Sequence, residues 1–146
     1  MNKFEKNFEE SLGYLIGLAR RALVNRINHD LGKAGHDVTC EQGAILMNLW
    51  KKNGQSQKEL ADSSCKDKTS VTRLIDGMEK RNLVVRIADK KDGRQKLIYL
   101  TNKGKELQKK VIESLHKTID EAQQGISVRH LEACKGVLKK VAQNLS

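Results

Sequence analysis

Asp92-Gly93-Arg94-Gln95-Lys96-Leu97-Ile98-Tyr99-Leu100-Thr101-Asn102-Lys103-Gly104 decides the fold, because a basic turn here runs into a short apolar strand and then into a capped helix. Lys90, Lys91, Arg94 and Lys96 crowd cations around Gly93. Val84-Val85-Arg86-Ile87 before the turn and Leu97-Ile98-Tyr99-Leu100 after it read as the two strands of a hairpin. The connection from Ala88 to Lys96 is too long for a two-residue turn, so its tip should project and be free to touch something outside the fold. A cationic tip suits phosphate oxygens or a narrow minor groove. Asp92 is placed to accept hydrogen bonds from loop amides or from Arg94, and so to aim the guanidinium. Taken alone, the loop also fits an ordinary solvated hairpin with surface charge.

The bulk composition favours the first reading. The 146 residues carry 28 Lys plus Arg against 18 Asp plus Glu, a formal net charge of +10. That length suits one domain spanning 1–146, and the charge favours anionic partners, nucleic acid first and an anionic membrane second. No apolar run approaches the roughly 20 residues that span a bilayer, and no secretion signal opens the chain. The expected location is the cytoplasm, at the nucleoid through DNA, with no membrane association. Cys40, Cys65 and Cys134 are widely separated and lack the spacing of a zinc site, a redox dithiol or a disulfide framework. His29, His36, His116 and His130 show no paired spacing, so neither a metal nor a cofactor is expected. A phosphate-binding Gly-rich loop, a nucleophile motif and a Cys, His and acid constellation are all missing, which argues against an enzyme.

Along the chain, Phe8, Leu12, Leu15, Ile16, Ala19, Leu23, Ile27 and Leu31 recur at helical spacing and predict a long first helix ending at Gly32 and Gly35. Thr39 with Gln42 has the form of a capping box opening a helix through Trp50 to near Gly54, and Ser56 with Glu59 repeats that signature for a short helix. Asp67 is set to cap a helix holding Val71, Leu74, Ile75 and Met78. After the hairpin, Thr101 caps a helix with Leu107, Val111, Leu115 and Ile119 on one face, and Ser127 opens a last one through Leu145. The terminal stripes are too long for a compact central lobe to cover. A second copy would bury them, and so would a monomeric bundle.

This order of elements is that of a winged helix-turn-helix: mainly α with a small β-hairpin wing, extended by N- and C-terminal dimerisation helices. The chain resembles the MarR family of transcriptional regulators over nearly its full length. Three blocks carry the resemblance: the helix entered by Thr39-Cys40-Glu41-Gln42, the pair Gln57-Lys58-Glu59-Leu60-Ala61 with Ser70-Val71-Thr72-Arg73-Leu74-Ile75-Asp76-Gly77-Met78-Glu79-Lys80-Arg81-Asn82-Leu83-Val84, and the wing Asp92-Gly93-Arg94. The family pattern implies a DNA-binding lobe over 36–100 and a helical dimerisation region over 1–35 and 101–146.

The same resemblance implies that the helix after Asp67 enters the major groove and that Arg94 reaches the minor groove or its phosphates. Lys68, Thr69, Ser70, Thr72 and Arg73 then fall where such helices place side chains on base edges and phosphates. Lys66, Lys90, Lys91 and Lys96 suit phosphates, since an ammonium lacks the bidentate fork of a guanidinium. Arg73 is the candidate for guanine, with pairing to Asp76 or Glu79 as its alternative. The expected protein is a homodimeric, sequence-specific regulator on a palindromic double-stranded operator, a repressor by the commoner family behaviour. The family also implies release by a small aromatic or anionic effector, with Tyr14, Met47 and Trp50 as candidate pocket residues, although side chains of that kind at helical spacing also serve as core. Cys65, near Lys66 and Lys68, and Cys40 are candidate redox thiols; inert buried cysteine is the other reading. A winged helix that coats DNA without preference or binds protein is the alternative function.

Overall fold

The computed structural model describes residues 3, 7–64 and 66–146. Among them, seven α-helices and three short strands follow the order α1 (Leu12–Lys33), α2 (Cys40–Lys51), β1 (Gln55–Ser56), α3 (Gln57–Ser64), α4 (Lys68–Lys80), β2 (Val84–Ala88), β3 (Lys96–Leu100), α5 (Asn102–Glu106), α6 (Gln108–Ala122) and α7 (Val128–Leu145).

Local capping chemistry sets most of these boundaries. Thr39 and Gln42 form both halves of a capping box at α2. Asp67 accepts from the amide of Ser70 at 2.7 Å and opens α4. Thr101 accepts from the amide of Gly104 at 3.1 Å and opens α5, and Ser127 does the same for His130 at α7. Ser56 accepts from the amide of Glu59 at 3.1 Å. At its C-terminus α4 is stopped by Asn82, which takes φ 60°, a left-handed conformation that Asn tolerates better than most residues.

Three details differ from the sequence reading. Phe8 lies in a separate 3-10 turn, Phe8–Glu10, because Ser11 adopts extended backbone and caps α1 through the amide of Tyr14. The helix expected after Thr101 breaks at Leu107 into α5 and α6. The wing is also part of a three-stranded antiparallel sheet in the order β1-β3-β2, since Gln55 and Ser56 pair with Ile98 and Leu97.

One core joins α2, α3, α4 and the base of the sheet through Ile45, Leu46, Leu49, Leu60, Val71, Ile75, Met78, Leu83, Val84 and Ile98. Fully burying side chains of this size contributes roughly 1.5–3 kcal/mol each. A second, smaller cluster of Ile27, Leu31 and Val111 holds α1 on α6, and Trp50 and Leu107 pack against both clusters. Helix α7 buries no residue, and Val128, Val137, Leu138 and Leu145 on it are exposed. No helix among the described residues is long and apolar enough to cross a membrane.

Candidate nucleic-acid interface

Burying Val71, Ile75 and Met78 fixes the rotation of α4 and turns Thr69, Arg73, Asp76 and Lys80 outward. Lys68, Thr69 and Arg73 are exposed, and their side chains have no hydrogen-bond or ion-pair partner among the described residues. The neighbouring polar groups are already engaged. The hydroxyl of Ser70 donates to Asp67 at 3.0 Å, while that of Thr72 donates to the Lys68 carbonyl at 2.9 Å and accepts from the side-chain amide of Gln57 at 2.8 Å. The amide and then the hydroxyl of Ser70 hold the Asp67 carboxyl below the usual aspartate range, so the cap is anionic and strong at neutral pH. Lys66 is half-buried, and its ammonium pairs with Glu41 on α2 at 3.1 Å.

At the wing, Lys90, Lys91, Arg94 and Lys96 are all exposed and make no ion pair among the described residues. The tip between them is ordered by two aspartates. Asp92 Oδ1 accepts from the amide of Arg94 at 3.1 Å, and its carbonyl accepts from the amide of Gln95 at 3.0 Å. Asp89 Oδ1 accepts from the amide of Lys91 at 3.0 Å. Asp92 therefore shapes the turn through a loop amide and leaves the Arg94 guanidinium open.

Two positions stand out that the sequence reading did not single out. Arg86, on β2, is largely buried and gathers both Asp76 at 2.6 Å and Glu79 at 3.1 Å, the carboxylates that were candidate partners of Arg73. Gln57 joins the first helix of the pair to Thr72 of the second and accepts from Arg86 Nε at 3.4 Å. A long-range contact of this kind leaves no local spacing signal.

Of the three candidate pocket residues, Met47 and Trp50 lie one turn apart on α2 and Tyr14 lies on α1. Trp50 is wedged between the two core clusters, its indole N–H donating to the Gly104 carbonyl at 3.0 Å. Met47 is half-buried on α2, and Tyr14 packs edge-on against Phe8 and lines a small groove with Gly13, Gly17, Leu18 and Arg21. A larger open groove of about 950 Å³ lies between α1, α6 and the start of α7, walled by Ala19, Leu23, Ile119, Ile126 and Leu131 with Arg26 at its edge. Cys40 is half-buried at the start of α2, where burial pushes its thiol up and disfavours the thiolate. Cys65 lies outside the described residues. No group of three or more His, Cys, Asp or Glu side chains among the described residues is arranged to hold a metal ion.

A helix of this diameter fits a major groove about 12 Å wide, and beside α4 a cationic hairpin projects on the same lobe. Paired helices α3 and α4, followed by that hairpin, define a winged helix-turn-helix protein. The MarR family model matches residues 38–96, which run from the start of α2 into β3. Over 138 residues the chain is 29% identical to the HTH-type transcriptional regulator MhqR of Bacillus subtilis, covering 93% of this chain and 94% of that protein. The fold is similar to that of the transcriptional repressor CouR bound to a 23-mer DNA duplex, with a TM-score of 0.84, 22% identity and coverage of 97% of this chain and 99% of that one. It is similar as well to Bordetella bronchiseptica BpsR, with a TM-score of 0.85, 21% identity and coverage of 92% and 95%. The chain is thus similar to MarR-family transcriptional regulators, through the family model over 38–96 and through MhqR over most of its length.

Proposed function

We propose that the protein is a homodimeric repressor that reads a two-fold symmetric operator and leaves it when a small aromatic or anionic molecule binds. The observation that carries the DNA reading is the set of unpaired side chains Lys68, Thr69 and Arg73 on α4 beside the open cations Lys90, Lys91, Arg94 and Lys96 of the wing. Arg73 can fork onto a guanine edge, and the lysines suit phosphates. Ser70 and Thr72, already bonded within the lobe, serve the shape of α4 before they serve the DNA. The lobe over 36–100 would bind DNA while 1–35 and 101–146 join two copies, which supports spaced recognition helices on a palindrome. We read its location as the cytoplasm, in line with a DNA partner.

Repression and effector release draw support from proteins of similar fold: CouR is a transcriptional repressor, and DNA binding by BpsR is regulated by 6-hydroxynicotinic acid. Selection of bound sequences from a random duplex pool tests the reading. A symmetric winner with half-sites about one helical turn apart, preferred roughly 10³-fold over scrambled duplex, is expected. Binding without enrichment that vanishes as salt rises would favour non-specific coating instead. Small aromatic acids titrated into the operator complex then test release.

A further inference from the structure

The wing hairpin is anchored unevenly. At its base, Val84, Ile98 and Leu100 are buried, and β1 adds two residues of pairing to β3. Farther out, Val85 and Ile87 point away from the lobe and are exposed, and nothing beyond Arg86 on β2 is buried. A two-stranded ribbon is marginal in water by itself, so its angle to the lobe needs a separate constraint.

Arg86 supplies the contacts for one. It sits two residues beyond Val84 and so faces the lobe as Val84 does. Its side chain is 14% exposed, and each guanidinium nitrogen has an acceptor on α3 or α4. Nε donates to Gln57 at 3.4 Å, one terminal nitrogen donates to Glu79 at 3.1 Å, and the other donates to Asp76 at 2.6 Å and to the Thr72 carbonyl at 3.4 Å. Gln57 closes the ring by donating to Thr72. A planar fork held at three corners fixes an orientation, which a flexible ammonium cannot do. Four of its five N–H donors are engaged in this way, which commits Arg86 to the lobe.

We infer that Arg86 is a positioning residue that sets the angle of the wing against α4, and thereby the register between Arg73 in one groove and Arg94 in the next. The inference rests on the DNA-binding reading above. The leverage is mechanical: the tip lies about 15 Å from Arg86 at strand rise, so a swing of about 10° moves Arg94 by roughly 3 Å, a full hydrogen-bond length.

The test is a double-mutant cycle on the selected operator with the full-length protein. Arg86→Lys keeps the charge and loses the fork, and Arg94→Ala removes the tip. Each is expected to weaken binding by about tenfold, and the double variant by about tenfold again in total instead of the hundredfold that independent sites would give. The salt slope of Arg86→Lys should match that of the wild type, since no cation is lost. Helical content and urea midpoint check that each variant folds, and Arg86→Gln repeats the cycle with a neutral side chain. A folded Arg86→Lys that binds like the wild type, or additive losses, would overturn the positioning role. A wild-type chain with no operator preference would overturn the DNA-binding reading itself, and the role of Arg86 with it.

Discussion

A Cβ added to Gly104 would lie 2.3 Å from the carbonyl oxygen of Leu83. The first turn of α5 therefore rests directly on the backbone that follows α4. The same joint carries the bond from the Thr101 amide to the Leu83 carbonyl at 3.0 Å, the Thr101 hydroxyl on the Asn82 carbonyl, and the Trp50 indole on the Gly104 carbonyl. Gly104→Ala is expected to lower stability by about 1–3 kcal/mol, because backbone on both sides must shift to admit the methyl. Gly32→Ala, with open space around the new methyl, should be neutral or slightly stabilising. Urea midpoints of the two variants make the comparison.

Asp67 links the start of α4 to pH. Its carboxyl is held below the ordinary range, chiefly by the Ser70 amide and then by the Ser70 hydroxyl. A depressed folded value means that the cap contributes fully above the unfolded aspartate pKa of about 3.9 and is lost as pH falls through the lower folded value. Operator binding should thus be insensitive to this group near neutrality. Asp67→Ala removes the cap at every pH and frays the turn that carries Lys68 and Thr69. Its operator affinity should fall about fivefold at neutral pH, with the dimer intact by sedimentation. An affinity equal to that of the wild type would show that DNA itself orders the first turn.

Lys66 and Glu41 make a further prediction. The pair is only partly exposed, and it ties the start of α4 to α2 while neutralising a cation that faces the expected phosphate path. Glu41→Gln should release the ammonium, raise operator affinity about twofold to threefold and steepen the salt slope by about one ion. Titrations at several salt concentrations read both effects. If the slope stays constant, Lys66 serves the joint between α2 and α4 and not the DNA.

Most of the fold is legible in sequence because its signals are local. Thr39, Asp67, Thr101 and Ser127 each cap the helix that follows within three residues, and the buried faces of α2 and α4 repeat at helical spacing. Gln55 and Ser56 escape such reading because two polar residues show no alternation, and their strand exists only through pairing with β3. Arg86 escapes for a related reason. In Val84-Val85-Arg86-Ile87 it resembles a solvent-facing strand residue, and only folding brings Asp76 and Glu79 to it. The cations of the wing are legible as charge, but which polar groups of α4 remain open depends on Gln57 and Asp67 and emerges only in three dimensions.

The apolar surface of α7 calls for a cover. Val137 and Leu138 lie mid-helix and are 54% and 41% exposed, Leu131 and Val141 continue the stripe, and Leu12 and Leu15 on α1 are open as well. Apolar surface of this kind is costly in water and is expected to be buried against the same elements of a second copy, in an interface of at least about 1,200 Å². Leu138→Glu places a charge in that interface and should yield a monomer by sedimentation. Because dimerisation adds to apparent stability by mass action, the wild-type melting temperature should rise with protein concentration, while that of Leu138→Glu should not. Operator binding by the variant should weaken by at least about a hundredfold, since each half-site is then bound without its neighbour. A Leu138→Glu protein that stays dimeric would move the interface to α1 and the groove beside α6.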